Sequence, residues 1–107
     1  MSPRAIETLE EVDLIAAEDT RHTGHLLRQF GIRTPLAALH EHNERAAVGQ
    51  LIRRLQEGQS VAQVSDAGTP LVSDPGYHLV RAAQEAGITV AVVPGPSATL
   101  AALAVSG

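Results

Sequence analysis

The chain contains no cysteine, no tryptophan and no lysine, and only one phenylalanine, one tyrosine and one methionine. Without cysteine, disulfide bonds and thiolate chemistry are excluded. With so few aromatic side chains the core must be aliphatic, and base stacking is not favoured as a way of binding single strands. No apolar run approaches the ~20 residues of a membrane-spanning helix, and no signal peptide is apparent. We therefore expect a cytoplasmic protein with no membrane partner.

The length of 107 residues allows one domain, and the 44% of apolar residues is typical of a globular protein. The net charge of −4 argues against a general nucleic-acid binder, which usually carries a basic surplus. All eight basic residues are arginine. Arginine suits bidentate recognition of phosphate better than lysine does, although codon usage in a GC-rich genome explains the same bias.

Apolar periodicity predicts helices that alternate with short strands along the whole chain. Ser2 and Pro3 are a helix cap and a first-turn proline, which predicts a helix over residues 3–11. Four apolar runs predict strands at residues 14–17, 36–39, 61–64 and 88–93, and a last helix is predicted over about 97–105. This alternation predicts a single α/β domain, residues 1–107, in which a parallel sheet carries helices on both faces, in three layers.

Each predicted strand ends in a polar or Gly/Pro-rich loop, and in open α/β sheets ligands bind beyond the carboxyl ends of the strands. The first loop holds two carboxylates, an arginine and a histidine within residues 18–22. One interpretation is a substrate-facing loop, with Arg21 at a phosphate and His22 at a ribose or base. The other is a capping segment whose acidic residues complement the dipole of the next helix. The residue pattern leaves both open.

The other three loops differ in chemistry. His40 and His42 point to the same side of a strand and, with Glu44, could bind a metal, although no third ligand has a defined spacing. Solvated histidines at a strand end are the alternative. Residues 66–70 combine an acid, a glycine and a hydroxyl, but lack the lysine and glycine spacing of a phosphate-binding loop. Residues 94–98 form a rigid Pro/Gly turn that can press against a flat ligand.

Three segments in order, DLIAAEDTRHT (13–23), VSDAGTPLVSDPGYHLVRAA (64–83) and VPGPSA (93–98), resemble the ribosomal RNA small-subunit methyltransferase I family. That family belongs to the tetrapyrrole-methylase-like enzymes, which use S-adenosyl-L-methionine. The resemblance implies methylation of the ribose 2′-hydroxyl of cytidine 1402 in 16S rRNA. It also implies a two-domain homodimer that holds the methyl donor between its domains.

The resemblance also assigns residues by position. It implies that the donor is bound by Asp66, Ala67, Gly68, Thr69, Pro70, Ser97 and Ala98. It places residues 18–23 at the active cleft, where Arg21, His22 and Thr23 are candidate substrate contacts. A base would help to deprotonate the ribose hydroxyl, and the candidates are Glu18, Asp19 and His22. No metal is expected.

One departure from the family pattern leads to a further expectation. Its members begin with a strand and a Pro-x-Gly-Asn-Leu-like loop that precede SPRAIETL, and that strand is internal to the sheet. Here the segment is absent, so we expect an incomplete N-terminal domain. The strands beside the gap would have unpaired backbone groups, which we expect to be paired through sheet rearrangement, dimerisation or strand exchange. The alternatives to a methyltransferase domain are a non-catalytic assembly module and a metal-dependent hydrolase.

Overall fold

Helices and strands alternate along most of the computed structural model, which describes residues 2–40, 42–66, 75–93 and 98–105. The helices are α1 (Pro3–Glu11), α2 (Thr20–Gln29), α3 (Glu44–Gln56) and α4 (Pro75–Glu85). The strands are β1 (Leu14–Ala17), β2 (Leu36–Ala38), β3 (Val61–Asp66), β4 (Thr89–Val93) and β5 (Ala98–Ala104). The first eight predicted elements are therefore confirmed.

The helix ends follow the local chemistry of the sequence. The Ser2 side chain accepts a hydrogen bond from the backbone N–H of Ala5 at 3.2 Å, which confirms the predicted cap of α1. Gly31 and Gly87 have φ angles of 71° and 78° beyond the ends of α2 and α4. Because side chains are strained in this left-handed region, glycine is the residue that ends a helix there at low cost.

The five strands form one sheet in the order β2-β1-β3-β5-β4, with β1 parallel to both β2 and β3. Successive side chains of a strand point to opposite faces. Accordingly, Ile15 packs in one apolar cluster with α1 and α2, whereas Leu14 and Ala16 pack in the other with α3 and α4. The α/β class and the three layers are confirmed, although the sheet is mixed rather than fully parallel.

The predicted last helix is wrong, because residues 98–104 form β5, which runs antiparallel to β3 and β4 between them. The segment is rich in alanine and leucine, which favours a helix, but Leu100 and Leu103 lie on opposite faces of the strand. Each is 1% exposed, in a different apolar cluster. An interior strand covered on both faces reads as a continuous apolar run, which periodicity does not distinguish from a buried helix. β5 thus forms hydrogen bonds with β3 and β4, whose backbone groups were expected to lack partners.

At the amino ends of the parallel strands, polar side chains join neighbouring segments. The Asp13 carboxylate accepts hydrogen bonds from the backbone N–H of Ser60 at 2.8 Å and from its hydroxyl at 3.2 Å. The Thr34 hydroxyl donates to the carbonyl oxygen of Leu9 at 2.7 Å. These bonds tie β1 to β3, and α1 to the segment before β2. We call this side of the sheet the amino edge, and the opposite side the carboxyl edge.

Candidate functional site

The strand register brings the predicted loops to one edge. Ala17 pairs with Ala38 of β2 and with Val64 of β3, so these three parallel strands end together. β5 begins there, because Ala98 is opposite Asp66, and Val93 at the end of β4 is opposite Leu100. The predicted gathering of strand ends is confirmed, and we take the carboxyl edge as the candidate site.

β1 and β3 are parallel neighbours in the sheet, and the connections that follow them run to opposite sides. From β1 the chain passes through α2 to β2 on one side, whereas from β3 it passes through α4 to β4 on the other. α2 and α4 cover opposite faces. Their starts therefore diverge at the carboxyl ends of β1 and β3, and in open α/β sheets the ligand-binding crevice lies at such a point.

The segment after β1 supplies exposed charges to this crevice. Asp19 caps α2, since its Oδ1 atom accepts the backbone N–H of His22 at 3.0 Å. Glu18, Arg21 and His22 are exposed. The Asp19 carboxylate is thus used as a cap, whereas Glu18, Arg21 and His22 face solvent and their contact with a substrate stays a prediction. Thr23 is 7% exposed and lies on the inward side of α2, away from these three side chains.

Two of the predicted donor-binding residues, Asp66 and Ala98, are neighbours in the sheet. The backbone of Asp66, the last residue of β3, is paired with that of Ala98, the first residue of β5. The two donor-contacting segments that the resemblance implies thus start from neighbouring points of the sheet. Residues 67–70 and Ser97 lie outside the described part of the chain, and their assignment stays a prediction.

The turn after β2 is built around Asn43. This residue precedes α3, but it makes no side-chain capping bond to the helix. Instead its Oδ1 atom accepts the backbone N–H of His40 at 2.8 Å and its Nδ2 atom donates to the carbonyl oxygen of Ala38 at 3.0 Å. The His40 ring lies 6.0 Å from that of His42, and its Nδ1 atom is buried without a hydrogen-bond partner in the described residues.

An ion-pair partner that sequence reasoning missed joins the starts of α3 and α4. Nδ1 of His78 is hydrogen-bonded to the Glu44 carboxylate, and the two side chains are 44% and 25% exposed. The order of elements brings them together, since α3 and α4 cover the same face. The sequence feature that could have indicated this pair is a histidine in the first turn of a helix that follows a strand-end loop.

Further along α4, the side chain of Arg81 is held by its own helix. Its Nη1 atom donates to the Tyr77 hydroxyl at 3.2 Å, and its Nε atom lies 3.5 Å from Oε1 of Glu85. The hydroxyl of Tyr77, and then the carboxylate of Glu85, raise the pKa of Arg81. This arginine is therefore already engaged within α4.

Helix α2 starts at the carboxyl edge, and α3 and α4 also start there. Helix N-termini present unpaired N–H groups and a partial positive charge, so the edge favours anionic ligand groups. Within residues 2–40, 42–66, 75–93 and 98–105, no three His, Asp or Glu side chains group to hold a metal ion. The hydrolase alternative, which relied on His40, His42 and Glu44, gains no support there.

In the part of the chain that the structure describes, no helix is both long enough and apolar enough to cross a membrane.

The chain is therefore a three-layer α/β domain with polar residues where the connections from β1 and β3 run to opposite sides of the sheet, a position at which many open α/β sheets bind ligands. Comparison with known families then identifies the group within this class of α/β domains. The chain belongs to the tetrapyrrole (corrin/porphyrin) methylase family, whose sequence pattern matches residues 1–107. The family predicted from the sequence motifs is confirmed.

Among curated relatives, three proteins named ribosomal RNA small subunit methyltransferase I illustrate the similarity. Those of Pseudomonas aeruginosa PAO1 and Xylella fastidiosa Temecula1 are each 62% identical to this chain, and that of Escherichia coli O157:H7 is 60% identical. Each alignment covers 107 residues, or 100% of this chain, but only 38%, 39% and 37% of the respective relatives. The chain thus spans under two-fifths of their length.

Proposed function

We propose that this chain is the donor-binding N-terminal domain of an S-adenosyl-L-methionine-dependent methyltransferase that modifies a ribose 2′-hydroxyl of cytidine in 16S rRNA. The observation that carries the proposal is the strand register at the carboxyl ends of β1, β3 and β5. There the register places the segment after Ala17 beside the pairing of Asp66 with Ala98. The names of the relatives and the family of methylases support the reaction class.

The chemistry of the carboxyl edge suits the methyl donor. S-adenosyl-L-methionine, when bound, supplies an electrophilic methyl group, and its amino-acid tail carries a carboxylate. The starts of α2, α3 and α4 favour that carboxylate. On this proposal Asp66, Ala67, Gly68, Thr69 and Pro70 hold one side of the donor, and Ser97 and Ala98 hold the other.

The residues after β1 would handle the ribose. Methyl transfer gains much of its rate from alignment of the two reacting groups, and removal of the hydroxyl proton adds to it. Asp19 is engaged at the helix start, so Glu18 and His22 are the better placed of the three candidate proton acceptors. Arg21 would contact a phosphate of the RNA.

We further propose that the domain works with a second domain of the same enzyme, in a cytoplasmic homodimer on the small ribosomal subunit. A donor cleft shared between two domains predicts weak donor binding by this chain alone. Micromolar affinity of the 107-residue chain would contradict that division of the cleft.

Nuclear magnetic resonance of the ¹⁵N-labelled chain, titrated with S-adenosylhomocysteine, tests donor binding. We expect fast-exchange shifts at Ala17, Glu18 and Ser65, at the carboxyl edge. Matched reporters at the amino edge, Asp13, Thr34 and Ser60, should not move. Adenosine diphosphate serves as a control for general adenine binding.

Two outcomes of the titration would reject the proposal. One is a complete absence of shifts at saturating ligand, and the other is a set of shifts centred on the amino edge. The variant Glu57→Gln, an exposed acid next to the end of α3 and far from the carboxyl edge, should bind as the parent does. It controls for a general effect of charge.

One observation favours a second candidate, an assembly module without donor affinity. The edge strand β4 exposes Ala91 and Val92, and Val92 is 60% exposed. Exposed apolar edge strands promote pairing between chains. Light scattering that shows a stable oligomer, together with no donor-induced shifts, would support this candidate over the methyltransferase.

A further inference from the structure

The outward face of α2 carries basic side chains and no carboxylate. Its sequence, TRHTGHLLRQ, holds two arginines and two histidines. We propose that Arg21, His25 and Arg28, which we call the basic stripe, bind the sugar-phosphate backbone of the RNA substrate and guide it toward the crevice. The inference rests on the proposed function for the identity of the polyanion, and it adds His25 and Arg28 to the predicted contacts.

Helical spacing aligns the three residues of the stripe. Positions 21, 25 and 28 follow the i, i+4, i+7 pattern, which places side chains on one face. All three are exposed, whereas Thr23 and Leu27 on the other side of α2 are buried. The stripe therefore extends over two turns of helix, about 10 Å along the axis at 1.5 Å per residue. Its arginines face solvent, whereas Nε2 of His25 lies 3.4 Å from Nε2 of Gln29.

The position of the Arg28 guanidinium brings it back toward the start of α2. Its Nη1 atom lies 3.8 Å from where a Cβ on Gly24 would stand. Long side chains of a helix lean toward its N-terminus, and Gly24 leaves that space open. The charge at the end of α2 is thus drawn one turn closer to Arg21 and to the carboxyl edge.

Neither arginine of the stripe is neutralised by the described residues. The ion pairs found there involve His78 with Glu44 and Arg81 with Glu85. By contrast, Arg54 in the last turn of α3 donates to the Gln59 side chain at 3.0 Å. Two arginines without an acidic partner, in a chain of net charge −4, mark α2 as a local positive surface.

Of the two helices on this face of the sheet, only α2 presents a net positive surface. α1 covers the same face of the sheet and exposes Glu7, Glu10 and Glu11. Moreover, Arg21 lies in the first turn of α2, where the helix dipole disfavours a cation. A helix optimised for stability would carry acids there, so the arginine indicates a ligand of opposite charge.

RNA phosphate is the partner that fits this arrangement. Guanidinium groups bind phosphate oxygens in a bidentate manner, and the stripe begins at the crevice where the ribose would react. Contacts to phosphate orient a nucleic acid without reading its sequence. The stripe would therefore fix the path of the strand, while the crevice selects the nucleotide.

Fluorescence anisotropy of a labelled 12-nucleotide single-stranded RNA with the 107-residue chain tests the stripe. We expect the double variant Arg21→Ala/Arg28→Ala to bind about tenfold more weakly at low salt. Its slope of log K against log salt should fall by about 1.4, because each lost contact to single-stranded RNA removes about 0.7. Circular dichroism should show the parent fold.

The double variant Arg53→Ala/Arg54→Ala is the matched control, because it removes the same charge at the other edge of the sheet. It should keep the parent slope. Equal losses of RNA affinity in both double variants would mean that net charge alone explains the effect, and they would overturn the proposal. The proposal would also be overturned if the parent chain bound no RNA at low salt, or if it bound poly-glutamate as tightly as RNA. If the donor-induced shifts persist in any of these cases, the stripe fails while the proposed function stands.

Discussion

The two edges of the sheet use polar residues in opposite ways. At the amino edge, Asp13 and Ser60 are bonded to each other across the sheet, and Thr34 is bonded to the backbone of α1. At the carboxyl edge, Glu18 and Arg21 are exposed and form no ion pair within the described residues. Polar groups that bond one another stabilise the fold, whereas exposed charges without partners are available to a ligand.

This difference separates stability from function along a single axis of the molecule. Substitutions at the amino edge should lower the free energy of unfolding and leave ligand binding unchanged. Substitutions of the exposed charges at the carboxyl edge should weaken ligand binding and leave the free energy of unfolding unchanged. An amino-edge variant that loses ligand binding but not stability, or an exposed carboxyl-edge charge whose loss unfolds the domain, would contradict this comparison.

The largest expected effect is that of Asp13→Ala at the amino edge. The substitution removes a charged acceptor from two donors of Ser60, so we expect the free energy of unfolding to fall by about 1.5 kcal/mol. Urea unfolding, followed by circular dichroism, measures it as a lower midpoint at constant slope. Glu18→Ala is the matched control at the carboxyl edge and should change stability by less than about 0.5 kcal/mol. Similar losses in the two variants would erase the distinction between the edges.

Asp19→Ala tests a carboxyl-edge acid that caps a helix. Loss of the cap should lower the free energy of unfolding by about 1 kcal/mol. Asp19→Asn retains an oxygen that can accept a hydrogen bond from the backbone N–H of His22. It should therefore lower the free energy of unfolding by only a few tenths of a kcal/mol. If both variants instead abolish the shifts caused by S-adenosylhomocysteine while unfolding as the parent does, Asp19 acts on the ligand and not on the helix.

A smaller effect is expected for the pair that joins α3 and α4. Glu44 and His78 are both partly exposed, so their coupling should be about 0.5 kcal/mol. A double-mutant cycle with Glu44→Gln and His78→Gln isolates this coupling from the separate interaction of Glu44 with the start of α3. Coupling above about 2 kcal/mol would show that the carboxyl edge holds a structural bond as strong as those of the amino edge.

The parts of the fold that were predictable depend on local signals. Caps such as Ser2 and stops such as Gly31 are set by a few neighbouring residues, and the parallel strands are bounded by them. The gathering of the strand ends followed from the alternation of elements. The polar residues of the crevice were therefore identifiable before their geometry was known.

The remaining features depend on contacts between distant segments. Phe30 lies in helical register with Leu26 and Leu27, yet it is 38% exposed, because the helix ends before it and the chain turns at Gly31. His78 meets Glu44 only through the packing of α3 against α4. β5 takes its conformation from pairing with two strands, which outweighs the helical preference of its alanines.

The smallest expected effect is that of Ala104→Val, at the amino-edge end of β5. Valine favours a strand over alanine, and here it would lie opposite the exposed Thr89 of β4, so we expect the free energy of unfolding to rise by a few tenths of a kcal/mol. Ala46→Val at an exposed position of α3 is the control and should lower it by about 0.5 kcal/mol, since valine is a poorer helix former. Urea midpoints distinguish the two signs. A lower urea midpoint for both variants would contradict the prediction, because residue 104 would then respond to valine as a helical position does. It would also mean that the stabilising amino edge does not include the end of β5.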